Sequence, residues 1–181
     1  MSTTLQSSGQ TNLNWQYASL DQSNIATSQN GSDAYSQSMQ AGPGGAGYAD
    51  LEYHATLNIA ANSANTITLS SLSDPFGNAI VFARIKQMQI RVLGTAQNAG
   101  STGGPILVGN AASHAWTGFC QTGTSNVAVG GTAGRQSCLT VQMDDAVALP
   151  VTTNVADQVK FTNINTSNPV TVQATFIGSS V

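Results

Sequence analysis

Charge is scarce in this chain. Only 7% of its 181 residues are Asp, Glu, Lys or Arg, against roughly 25% in an ordinary soluble domain. The five basic residues come late and singly, beginning with Arg84. A nucleic-acid binder needs clustered Lys and Arg to release counterions, and a polybasic membrane anchor needs them against lipid headgroups. Both classes are excluded. Long apolar runs are missing as well. The longest, around Ala79–Ala83, is cut by Arg84, far short of the roughly 20 residues that span a bilayer. Met1 is followed by Ser-Thr-Thr-Leu-Gln-Ser-Ser, with neither a basic nor an apolar segment, so no secretory signal peptide is expected and synthesis is expected to leave the chain in the cytoplasm. Cysteine is limited to Cys120 and Cys138. Their spacing fits no metal motif, and two thiols make no disulfide framework, so both are expected as buried free thiols packing as small hydrophobes.

Ser, Thr, Asn, Gln and Gly take the place of the missing charge, most densely in the first 50 residues. There, 24 positions are Ser, Gln, Asn or Thr, the only charges are Asp21, Asp33 and Asp50, and apolar residues stand alone. Leu13, Trp15 and Tyr17 alternate briefly, but no stripe runs at helical period. Such a segment has too little apolar surface to offset its own ordering entropy. Residues 1–50 therefore read as an extended polar arm. Two readings stay open: the arm wraps its own domain, or it lies on neighbouring subunits with each lone apolar side chain in a pocket. The anchors would be Leu13, Trp15, Tyr17, Leu20 and Ile25. Gly42-Pro-Gly-Gly-Ala-Gly47 reads as a flexible joint.

From residue 51 the pattern has period two. Leu51–Ile59 and Thr66–Leu69 alternate apolar with polar residues, and Ile80–Leu93 does so with a phase change near Ala83–Lys86 that predicts a bulge or bend. Short runs follow at Ile106–Val108, Trp116–Cys120, Leu139–Met143, Ala146–Leu149, Val159–Ile164 and Val170–Ile177, separated by Gly/Pro/Asn/Ser clusters. Residues 51–181 are thus predicted to form an all-β body, an antiparallel β-sandwich or jelly roll, with the arm in front.

Chemistry-bearing patterns are thin. His54 and His114 are the only histidines, and each reads as a surface or packing residue; Glu52 beside His54 on one strand face makes a weak ligand pair. Asp144 and Asp145 point to opposite faces of a strand and cannot share a proton; Asp144 with Asp157 is a remote calcium pair. Gly130-Gly-Thr-Ala-Gly134-Arg135 lacks the Lys and following helix of a phosphate loop. No G-x-S-x-G elbow occurs. The sparse acids show no pairing of the kind glycoside cleavage requires. No enzyme, metal or cofactor is expected. Trp116 with Phe119 reads as core packing, or alternatively as a sugar-stacking platform.

Association is what this composition favours. Neutral amides and hydroxyls lose less on desolvation than charges, and short side chains lose less entropy on ordering than Lys or Glu. The strand Ile85-Lys-Gln-Met-Gln-Ile-Arg-Val-Leu93, then Ile106-Leu-Val-Gly-Asn110, and the closing Val151–Asn163 and Val170–Ser179 with its apolar-Gly-small end Ile177-Gly178-Ser179, resemble small virion structural proteins of tailed bacteriophages. The resemblance covers residues 80–181; Met143-Asp-Asp145 stands where that family usually has a Pro-Gly-Gly turn. It implies a capsid decoration (cement) protein on the outer shell of the virion, a homo-oligomer, expected as a trimer, bound to the major capsid protein, with no active site. A tail or head fibre module binding host-surface glycan through an exposed Trp116 and Phe119 is the alternative.

Overall fold

The computed structural model describes residues 7–20, 26–74, 76–93, 104–119, 125–130, 135–143 and 145–181, with side chains from residue 38 onward. No helix occurs among them. The strands are β1 (Ser7–Leu20), β2 (Ala26–Ala41), β3 (Tyr48–Ala49), β4 (Leu51–Ile59), β5 (Ala64–Thr68), β6 (Leu72–Ser73), β7 (Ala79–Ile80), β8 (Arg84–Val92), β9 (Ile106–Gly109), β10 (Asn126–Val129), β11 (Ser137–Gln142), β12 (Leu149–Pro150), β13 (Gln158–Asn163) and β14 (Val170–Ser179).

Two antiparallel sheets form a β-sandwich. One has the order β11-β8-β14-β4, with β12 also on β8; the other runs β10-β9-β13-β5. Period-two alternation gives each sheet one apolar face. Ile85, Met88, Ile90 and Val92 of β8 and Val172, Ala174 and Phe176 of β14 meet Ile67, Ile106, Val108, Val159 and Phe161 of the facing sheet in a single buried cluster. Burying a Val, Ile or Phe side chain is worth about 1.5–3 kcal/mol, so this interface is the main source of the body's stability.

The phase change anticipated near Lys86 is a β-bulge. Ile177 pairs with Gln87 and Gly178 with Ile85, leaving Lys86 as the additional residue on β8. Gly178 sits where the two backbones close in. A Cβ there would lie 1.9 Å from the Arg84 carbonyl oxygen, so only glycine fits.

Several runs differ from expectation. Trp116 does not open a strand: its amide bonds the Gln158 carbonyl at 2.8 Å and its indole turns into the core, 2% exposed. The run 146–149 enters the sheet only at Leu149 and Pro150, because Asp145 accepts the Ala148 amide and holds a turn ahead of β12. The strand Asn126–Val129 was missed, being only four residues long between polar runs. Cys138 corrects the expectation of two buried thiols: it is free and exposed. It pairs with Arg91 across β11 and β8, on the face turned away from the core. Cys120 lies outside the described residues.

Candidate functional site

The described residues of the N-terminal segment hold two long strands, β1 and β2. β1 and β2 pair antiparallel over all 14 residues of β1, from Ser7↔Met39 to Leu20↔Ala26. At about 3.4 Å per residue the ribbon is ~45 Å long. Folding back lets the polar sequence close its backbone hydrogen bonds locally. Leu13, Trp15, Tyr17 and Leu20 fall on β1; Ile25 lies outside the described residues. The pleat places 11, 13, 15 and 17 on one face of β1, opposite Tyr35, Asp33, Gly31 and Gln29 of β2.

The ribbon is rooted in the body. The end of β2 pairs parallel with β3, Gln40↔Tyr48 and Ala41↔Ala49. Met39 and Ala49 form a small buried cluster with Ile177 of β14. The Gly-rich run is a closed turn rather than a loose joint: Gln40 donates to the Gly47 carbonyl at 2.8 Å, and Gly42 to that of Ala49 at 3.0 Å. Gly45 and Gly47 have φ of 88° and 71°, a region that glycine occupies without cost. The C-terminus joins the seam. The Asp50 amide donates to the Gly178 carbonyl, and the Asp50 carboxylate accepts the Ser180 amide and hydroxyl at 2.9 and 2.6 Å.

Lys86 completes this root. The residue is 1% exposed, and its Nζ donates to the Gly45 carbonyl oxygen. The bulge turns it out of the β8 alternation, so it reaches the turn instead of facing solvent. Burial holds its pKa below the usual 10.5; neighbouring Arg84 lowers it further, while Asp145 acts the other way. A base whose folded pKa is depressed opposes folding while it is protonated, and that penalty fades as pH climbs toward 10.5. Lys86→Met keeps the buried stem, removes the charge and frees the Gly45 carbonyl. Unfolding stability is expected to stay within about 1 kcal/mol of wild type. Amide exchange at Gln40 and Gly42 is expected to quicken about tenfold or more. Any stability advantage of the variant should shrink in denaturant titrations as pH approaches 10.5.

Several of the other candidate residues hold local structure. Asp157 is fully buried; its Oδ2 accepts the Ser70 hydroxyl at 2.5 Å and the Asn154 amide at 2.9 Å, closing the 152–156 turn. Its Oδ1 has no hydrogen-bond partner and lies 3.9 Å from Nδ1 of half-exposed His114. Asp144, its supposed calcium partner, lies outside the described residues, and no cluster of three or more metal-ligating side chains occurs among the described ones. Glu52, Tyr53, His54, Ser73 and Asp74 line an open cleft of about 480 Å³. His54 places Nδ1 2.9 Å from the Thr175 hydroxyl. Asp74 holds its own turn, accepting the Phe76 and Asn78 amides and the Asn78 side chain; that side-chain bond holds its pKa below the ordinary carboxylate value. Trp116 donates Nε1–H to the Pro150 carbonyl at 2.8 Å and packs on Phe119 with centroids 5.3 Å apart. A buried indole cannot be a sugar platform.

Compared with family models, with curated proteins and with solved structures, the chain matches none. The weight therefore falls on the ribbon, the sequence-predicted interface, and on its root. Lys86 was legible only as a polar residue beside a phase change; nothing in its spacing pointed to Gly45.

Proposed function

We propose that this protein is a non-enzymatic bacteriophage capsid decoration (cement) protein. The sandwich sits on the outer shell as a trimer against the major capsid protein, and the ribbon reaches across to link neighbouring capsid subunits. The observation that carries this reading is the ribbon itself: a reach of ~45 Å at 3.4 Å per residue, with no charge in β1 and only Asp33 in β2, rooted in the body at a buried seam. A surface of that kind makes contacts with little desolvation cost, and weak contacts repeated on a lattice add through effective concentration. Such links would resist the outward push of a packaged genome. No cofactor, nucleic acid or membrane enters this function.

The root dictates where to cut. Removing residues 1–47 would delete Met39 from its cluster and Gly45 from Lys86. Removing residues 1–37 spares both. That truncated chain is expected to melt within a few degrees of the full one and to lose binding to shells of the parent phage stripped of this protein, read by co-sedimentation. Full occupancy by the truncated chain would refute the ribbon's role.

A further inference from the structure

We propose that the outer edge of β1 pairs with the β1 edge of a second copy of this chain, so that two ribbons merge into one four-stranded sheet. The sheet order is β1-β2-β3, which puts β1 on the side away from the body and leaves its outer edge unpaired over 14 residues among the described strands. Proteins guard such edges with Lys, Pro, bulges or short length. β1 contains no charge and no Pro, and its register with β2 runs without a shift.

Self-pairing is the occupant that the sequence of β1 suits. A two-stranded ribbon is marginal alone, whereas three or more strands with one apolar face are stable. Two antiparallel copies of β1 related by a two-fold axis perpendicular to the sheet keep each face with itself. With Trp15 at the axis, positions 13, 15 and 17 of one copy fall opposite 17, 15 and 13 of the other, and Asn14 opposite Gln16. With no charge on either edge, nothing repels. The β2 edge is the poorer choice: it carries Asp33 and runs into β3 and the body. Fourteen residues per copy fall below the roughly 20–30 of a standard stable interface, so the pair is weak in free solution and strong where a surface holds copies together. This deepens the capsid-linking reading by naming what the ribbon grips, but it operates without a shell.

The test uses the full chain in solution. As concentration rises from about 10 μM to about 1 mM, a range covering weak association, sedimentation should show added mass. Hydrogen exchange should show alternate amides of β1 gaining protection, since every second N–H of an edge strand points outward. The double variant Asn14→Lys, Gln16→Lys puts like charges opposite one another across the axis and should weaken association about tenfold or more; the Glu counterpart at the same positions, mixed with it, should restore pairing. Melting of the body checks that each variant folds. Outward β1 amides unprotected at the highest concentration, or protection unchanged in the Lys variant, would overturn the proposal. Shell binding without pairing in solution sinks this inference alone. Pairing without shell binding sinks only the decoration reading.

Discussion

Gly178→Ala is expected to cost about 3 kcal/mol or more of folding stability, the upper end for overpacking, and to lower the melting temperature by roughly 6–12 °C for a chain of this size. The added methyl would meet the Arg84 carbonyl oxygen at 1.9 Å, its carbonyl carbon at 3.0 Å and Ile85 Cα at 3.1 Å. All three are backbone atoms, so no rotamer relieves the overlap. The bulge must open, and with it the pairing of β14, whose neighbours on both sides are β8 and β4. Because the Gly178 carbonyl also accepts the Asp50 amide, the ribbon root should loosen along with the sheet. Calorimetry and amide exchange at Asp50 check the two effects together. A melting temperature unchanged within about a degree would mean that the bulge is more pliable than its packing indicates.

The second large effect is expected at Asn163, which is fully buried at the end of β13. Its side-chain amide donates to the carbonyls of Ile59, Ala60 and Asn168 at 3.1, 3.0 and 2.9 Å, while its Oδ1 accepts the Asn165 amide at 2.9 Å. This one side chain ties the end of β4 to the β13–β14 turn, where the chain crosses from one sheet to the other. Asn163→Asp preserves the shape but turns the donor into a second acceptor facing three carbonyl oxygens. The group must stay protonated or the turn must open; either way the loss should be about 3 kcal/mol, the scale of an uncompensated buried charge. It should be larger at pH 7 than at pH 4, because the variant carboxyl is held protonated in the fold and ionises in the unfolded chain. Urea titrations at both pH values measure it. Asn163→Ser, smaller but still a donor, should lose less.

Much of the sandwich was readable because alternation reports a half-buried strand directly. Leu51–Ile59 is β4 to the residue, and the phase slip near Lys86 located the bulge without naming the glycine that permits it. The ribbon was not readable as a pair. Its strands lack an apolar face long enough to set register, and their pairing rests on backbone bonds that side-chain periodicity does not record. Trp116 was misassigned as strand because its run is apolar, yet one bond to Gln158 and one to Pro150 turn it inward. The tie between Lys86 and Gly45 spans 41 positions and leaves no local trace.

That tie has a mechanical meaning. Tension on the ribbon enters the body not only along the covalent chain through β3 into β4 but also sideways through Gly45 and Lys86 into β8. β4 borders its sheet, and a border strand hauled from one end peels bond by bond. β8 lies inside, flanked by β11 and β14. Dividing the load between them spares the rim and recruits the middle of the sheet, as a rope belayed to two posts outlasts one knotted to a rail.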